Sequence, residues 1–300
     1  SDDTNVVQKG DYKNFMSKEI FEQPTTARNC INEYIDKSRD EINFYNFPIK
    51  PKSIDKIVLV GCGTAFFASK IGESYIRELT EVDVQAFRAS EFPSKFVCGP
   101  NTLTLGITQS GETKDTLDAL QKAKRTGGHV SSITNVIGST ISRFTGNGAY
   151  LYAGPEYAVA STKAFTNMVA SLLLLSLTIS EISINHRTKI VQNLRELPNK
   201  VSSQLIEADD SIRNAVAILN QAKSALFIGR GLSAPLVEEG ALKMMEIAYL
   251  PCLAYPGGEL KHGPIALIED GTPVIAIAPK DETLGLMESS IRECKTRGAR

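Results

Sequence analysis

The sequence predicts an α/β fold built from two similar doubly wound parallel-sheet domains, the second incomplete at its C-terminal end. Three observations lead there. An apolar, β-branched run from Ile57 to Val60 ends in Gly61-Cys-Gly-Thr and is followed by helix-like spacing from Phe66 to Leu79, which reads as strand, turn and helix. A second such unit follows, with a strand over Leu103 to Thr108, the turn Gln109-Ser-Gly-Glu-Thr and a helix from about Lys114 to Arg125. About 168 residues after the first turn, Ala225-Leu-Phe-Ile-Gly-Arg-Gly restates Ile57-Val-Leu-Val-Gly-Cys-Gly, again ahead of a helix, here Ala234 to Tyr249.

The elements divide the chain into three parts. Residues 1–45 form a polar helical connector, with Phe15, Ile20, Phe21, Ile31 and Tyr34 at loose helical spacing and Pro24 expected to separate two short helices. Residues 46–195 form the first domain, in which Gly127-Gly128 leads to a strand over Val130 to Thr134. A buried helix lies around Met168 to Ile179, interrupted by Ser171, Ser176 and Thr178 and too short to span a bilayer. Residues 196–300 form the second domain, where Val274 to Ala278 corresponds to Leu103 to Thr108 and Lys295-Thr-Arg-Gly-Ala to Lys124-Arg-Thr-Gly-Gly. That copy stops at Arg300, so its sheet is expected to be incomplete.

Composition narrows the partners. With 42% hydrophobic and 22% charged residues, 300 residues hold enough apolar side chains for a packed core. Lys and Arg number 33 against 34 Asp and Glu, and no long basic run occurs, so neither nucleic acid nor an anionic membrane is expected as a partner. A small ligand fits better. Cys30, Cys62, Cys98, Cys252 and Cys294 are scattered and form no C-x-x-C pair, which points to reduced thiols rather than zinc or a disulfide framework. No metal or organic cofactor is expected. The opening Ser1, Asp2 and Asp3 resemble no secretory leader, and cytoplasm is the expected location.

Two clusters carry chemistry. Thr108, Gln109, Ser110 and Thr113 lie where a parallel strand gives way to a helix, and Gly111 lets the backbone approach a ligand. Unpaired helix N–H groups plus neutral hydroxyls suit a phosphate. The plainer alternative is that Ser110 and Thr113 only cap the helix. The equivalent turn of the second copy, Ala278-Pro-Lys-Asp-Glu-Thr, lacks a comparable hydroxyl cluster, which favours the phosphate reading for the first. A dinucleotide site fits neither Gly-x-Gly turn: Phe66 stands where the first needs a small residue, and no acidic residue closes a second strand about twenty residues after the other.

The second cluster lies on the helix from Ala234 to Tyr249, where Glu239, Lys243 and Glu246 share one face of an otherwise apolar segment expected to be largely buried. The alternative is a solvated Glu239–Lys243 ion pair. His262, in the loop Gly257-Gly-Glu-Leu-Lys-His-Gly-Pro, adds a titratable group. Moving a hydrogen between C1 and C2 of a phosphorylated hexose needs a phosphate anchor, a ring-opening acid–base group, a carboxylate and a cation. The cradle, His262, Glu246 and Lys243 supply one candidate for each.

Together these residues resemble the double sugar-isomerase (SIS) part of the glucosamine-6-phosphate synthase family, across nearly the whole chain. The resemblance rests on Lys9-Gly-Asp-Tyr-Lys-Asn-Phe-Met-Ser-Lys-Glu-Ile-Phe-Glu-Gln-Pro, Gln109-Ser-Gly-Glu-Thr, Val159-Ala-Ser-Thr-Lys-Ala-Phe, Glu239-Gly-Ala-Leu-Lys and Gly258-Glu-Leu-Lys-His-Gly-Pro, in that order. It implies flavodoxin-like SIS domains with the site between them, and conversion of fructose 6-phosphate and ammonia to glucosamine 6-phosphate. A glutaminase domain in the same full-length chain would supply the ammonia. It further implies phosphate contacts at Thr108, Gln109, Ser110 and Thr113, sugar contacts at Gly63, Thr64, Val159 and Ser161, C1–C2 proton transfer by Glu246, ring opening by His262 and support from Lys243. His262 would act across a homodimer, and the imine-forming lysine would lie beyond Arg300. Ala65 stands where a serine sugar contact is usual. A stand-alone SIS deaminase and a non-catalytic sugar-phosphate sensor are the alternative readings.

Overall fold

A computed structural model describes residues 9–36, 41–44, 48 and 50–300; the Ser1–Asp3 opening lies outside them. The chain divides into two compact units, residues 1–204 and 205–300.

The first unit opens with helix α1 (Phe15–Tyr34), capped where Asn14 Oδ1 accepts the Ser17 N–H at 2.8 Å. One continuous helix replaces the two short ones expected around Pro24. Proline removes the N–H that would bond the Ile20 carbonyl, but Gln23 Nε2 donates to that oxygen at 3.0 Å and fills the vacancy from one residue away.

A five-stranded parallel sheet follows. Its elements are β1 (Lys56–Gly61), α2 (Thr64–Leu79), β2 (Asp83–Arg88), β3 (Thr102–Thr108), α3 (Lys114–Arg125), β4 (His129–Thr134), α4 (Thr140–Thr145), β5 (Gly148–Tyr150) and α5 (Lys163–Ile179), with strand order β2-β1-β3-β4-β5. The apolar run of β1 serves both faces, as period-two alternation requires. Ile57 and Leu59 pack with α1, α2 and α5, whereas Val58 and Val60 pack with Leu120 and Ala123 of α3 and Ile141 of α4. Side chains such as Ile57, Leu59, Leu103 and Ile107 are fully buried, each contributing about 1.5–3 kcal/mol.

Helix α6 (Ile184–Glu207) crosses the unit boundary. The second unit holds α7 (Asp209–Leu219), β6 (Ala225–Gly229), α8 (Ser233–Ala248), β7 (Cys252–Pro256), β8 (Val274–Ile277) and α9 (Leu284–Thr296), with parallel order β7-β6-β8. This repeats β2-β1-β3, so β8 stands to β6 as β3 stands to β1. The helix ends repeat too: Gly127 and Gly128 donate to Lys124 O and Ala123 O, and Gly298 and Ala299 donate to Lys295 O and Cys294 O.

Helix α8 is buried only over its first part. Val237, Glu239 and Ala241 are buried, whereas Met245, Ile247, Ala248 and Tyr249 are exposed, against the expectation of a largely buried helix. Sixteen residues of helix reach about 24 Å, while the five-residue strands β6 and β7 beneath it reach about 17 Å, so the last turn overshoots the sheet. Among the described residues no helix is long and apolar enough to cross a membrane, and no group of three or more His, Cys, Asp or Glu is placed to hold a metal.

Candidate functional site

In a 2-1-3-4-5 sheet the crevice opens where β1 and β3 send their helices to opposite faces. Both hydroxyl- and glycine-bearing turns leave those two adjacent strands. After β3, Thr108 Oγ1 lies 3.2 Å from Thr113 Oγ1 and accepts the Gly111 N–H at 3.2 Å. Ser110 Oγ accepts the Glu112 N–H at 3.2 Å, outside the helix. Thr113 opens α3 without a side-chain capping bond, so neither hydroxyl caps the helix. Thr108 is buried, and Gln109, Ser110 and Thr113 are half-buried.

The turn is rigidly backed. Gly111 sits at φ +69°, its carbonyl accepts the Ile141 N–H at 2.9 Å, and a Cβ there would lie 2.0 Å from Ser139 Oγ. Glu112 faces α4, where its Oε1 accepts the Thr140 N–H at 2.9 Å, and hydrogen bonding to Thr140 holds its carboxyl below the usual range. After β1, Gly63 takes φ +52° and Thr64 begins α2. Phe66, which displaced the dinucleotide reading, lies 4.3 Å below the Arg88 guanidinium.

The second unit arranges its equivalent turn differently. Asp281 Oδ1 accepts both the N–H and the hydroxyl of Thr283, at 2.8 and 2.6 Å, just before α9. Those bonds hold the Asp281 carboxyl below its usual range. The exposed Asp281 carboxylate thus takes the Thr283 donors for itself.

Val159 and Ser161 lie on the segment between β5 and α5. Val159 is 87% exposed, and Ser161 Oγ donates to Glu156 Oε2 at 3.0 Å. Three side chains that sequence reasoning did not single out hold this segment. Glu156 Oε1 accepts the N–H groups of Thr162 and Ala164, at 2.8 and 3.3 Å. Glu19 of α1 accepts those of Tyr157 and Ala158, at 2.6 and 3.1 Å. Asn135, after β4, donates to Gly154 O and accepts from the Ala153 N–H, while its own N–H bonds Gln109 O of the cradle turn. Glu19 was findable: it falls on the helical face of Thr26, Cys30 and Tyr34, where a charge is costly without partners. Asn135 carries no local signal.

On α8, Lys243 Nζ lies 2.6 Å from Glu246 Oε2 and 3.4 Å from Glu239 Oε1. Glu239 is 5% exposed, so the stripe is not a solvated face. His262 is elsewhere. It lies in a short 3₁₀ turn (Leu260–His262) after β7, exposed, beside Gly263 at φ +137°. Because α8 runs back along the parallel strands, Glu246 on its last turn and His262 past the end of β7 occupy opposite ends of the layer. A strand length, about 17 Å, separates those ends. One copy of the unit therefore brings Glu239, Lys243 and Glu246 together but not His262.

A family profile described as SIS domain matches residues 52–178 and 218–300. The chain is 40% identical over 301 residues to the glutamine–fructose-6-phosphate aminotransferase [isomerizing] of Chlorobaculum tepidum, covering 98% of this chain and 49% of that protein. It is 37% identical over 303 residues to the enzyme of the same name from Thermococcus kodakarensis, covering 98% and 49%. Among solved structures, the C-terminal domain of glucosamine-fructose-6-phosphate aminotransferase from Francisella tularensis superposes with TM-score 0.89 at 32% identity, over 98% of this chain and 84% of that one. The chain spans about half the length of the curated relatives it matches.

Proposed function

Because the chain belongs to the SIS-domain family, we propose that it carries the isomerase reaction of a glutamine–fructose-6-phosphate aminotransferase, making glucosamine 6-phosphate from fructose 6-phosphate and ammonia. The observation that supports this most is the uncapped hydroxyl turn after β3, present in one copy of the repeat and filled by Asp281 in the other. Thr108, Gln109, Ser110 and Thr113 hold the phosphate with hydroxyl and backbone donors, and Gly63, Thr64, Val159 and Ser161 hold the sugar. His262 moves the proton that opens the ring. Ammonia adds to the C2 carbonyl of the open chain with loss of water. Glu246 then removes a proton from C1 and returns one to C2, while the C1 hydroxyl gives up its proton and the imine nitrogen takes one up, leaving an aldehyde at C1 and an amine at C2. Lys243, 2.6 Å from Glu246, supplies positive charge for the intermediate's oxygen.

The separation of His262 from Glu246 within one copy supports a homodimer in which each site takes His262 from its neighbour. A glutaminase domain in the same full-length chain supplies ammonia, and the reaction takes place in the cytoplasm. The test is turnover of fructose 6-phosphate by the chain extended to its natural C-terminus, with and without ammonia, following glucosamine 6-phosphate and glucose 6-phosphate separately. Glu246→Gln is expected to lower kcat by about 10²–10⁴ while binding persists. Sugar-phosphate binding with neither product from the wild type would leave a sensor instead.

A further inference from the structure

Strand β5 lies at the sheet edge beside β4, and the last backbone donor the neighbouring strand takes is the Leu151 N–H, bonded to Thr134 O at 2.9 Å; beyond it, among the described residues, no strand lies alongside to fill the backbone donors. Side chains fill them instead. Ala153 bonds Asn135, Thr162 and Ala164 bond Glu156, and Tyr157 and Ala158 bond Glu19. Asn135 and Glu156 come from the neighbouring strand end and from the segment itself. Glu19 comes from α1, 138 residues away in the chain from Tyr157. It is 1% exposed, and a carboxylate withdrawn from water to this extent is retained only where charge-assisted hydrogen bonds offset its desolvation. The two N–H groups it holds immediately precede Val159.

The contact is built on both sides. Phe15, one turn before Glu19, packs on the Tyr157 ring at 5.4 Å between centroids. Glu22, one turn after Glu19, pairs with the buried ammonium of Lys163 at 2.7 Å, at the start of α5. Thr166 then donates to Gln23 Oε1 at 2.7 Å. Three successive features of one helix face therefore grip the segment on either side of Val159 and Ser161, while Val159 itself is left exposed.

We infer that Glu19 is a positioning residue for the sugar end of the ligand, fixing the backbone from Tyr157 to Ser161 without touching the phosphate cradle. The inference rests on the phosphosugar reading above. It separates two parts of recognition: the cradle after β3 holds phosphate whether or not Glu19 is present, and the Val159 segment orders the carbon chain only when it is.

The experiment titrates fructose 6-phosphate and, separately, inorganic phosphate into the wild type, Glu19→Ala and Glu19→Gln, and follows amide hydrogen exchange at Tyr157 and Ala158. Glu19→Ala is expected to weaken fructose 6-phosphate binding about tenfold, to leave inorganic phosphate within about twofold, and to speed exchange at both amides. Glu19→Gln keeps an oxygen at the Tyr157 N–H and should recover most of the affinity. Unchanged sugar-phosphate affinity in Glu19→Ala overturns the inference, as does an equal loss for both ligands, which would mark a general structural role. If Glu19→Ala does not fold, a Glu19→Gln protein with wild-type affinity and faster exchange at Ala158 overturns it as well. A wild type that binds inorganic phosphate but not fructose 6-phosphate removes the functional reading itself, and the inference with it.

Discussion

Replacing Gly111 by alanine tests the cradle at its narrowest point. At φ +69° an alanine costs about 1–2 kcal/mol more than glycine. The new Cβ would also stand 2.0 Å from Ser139 Oγ and 2.4 Å from Ser139 Cβ, well inside ordinary contact. Ser139 is buried at the start of α4, so relief requires moving that helix end or the Gly111 carbonyl that Ile141 holds, an overpacking cost of about 1–3 kcal/mol. The sum is about 2–5 kcal/mol. Gly138 provides the control, because it has φ +72° and nothing within 4 Å of its Cβ position. Gly138→Ala should therefore cost only the backbone part. Urea unfolding of the two variants measures the difference, and fructose 6-phosphate titration should show at least a tenfold loss for Gly111→Ala and almost none for Gly138→Ala. Equal stability and equal affinity would refute the reasoning that the Gly111 turn is pressed against Ser139.

Mixing inactive Glu246→Gln and inactive His262→Ala proteins should restore activity, up to about a quarter of wild type, if sites combine residues from two copies; no recovery after verified subunit exchange counts against that arrangement. Cys62, the one cysteine that is not buried, lies in the turn after β1 and should react first with a thiol reagent and be protected by fructose 6-phosphate, as mass spectrometry would show. Cys30, whose thiol burial pushes up to about 12, should stay unmodified near neutral pH. Glu112 has a lowered folded pKa, so its bond to Thr140 stabilises the cradle fully above the ordinary glutamate value of about 4.3 and loses that contribution as pH falls through the lower folded value. Glu112→Gln should remove that part of the acid dependence in a pH series of urea midpoints.

Four of the five strands legible in the sequence are almost wholly buried, and the fifth, half-buried β8, was legible as the repeat of β3. β1 and β6 are near-continuous apolar runs, β3 alternates threonines with Leu103, Leu105 and Ile107, and β4 sets Val130 and Ile133 among serines and threonines; all four lie near where the sequence puts them. β2 and β7 lack that pattern: Asp83, Gln85 and Arg88 face solvent around a buried Val84, and Leu253 is half exposed, so neither reads as a core strand, while β5, three residues long, is too short to show one. Pro24 misled because its cost was judged locally, whereas Gln23 compensates it. The cradle residues and the α8 stripe stood out as short-range patterns at turns and helical spacing. The hold on Val159 did not, since Glu19 and Asn135 act through backbone groups distant in sequence, and single-sequence periodicity cannot report which loop a buried carboxylate will meet.

Asp281 has a consequence for stoichiometry. Two sheets of matching strand order would ordinarily allow two equivalent ligand sites, and a duplicated protein with both turns open would saturate at two phosphates per chain. The second turn is instead self-liganded: its own carboxylate takes the Thr283 donors and repels an incoming anion. If the first turn anchors phosphate as proposed, titration is expected to saturate at one phosphosugar per chain, with the second copy of the repeat contributing side-chain chemistry rather than another anchor.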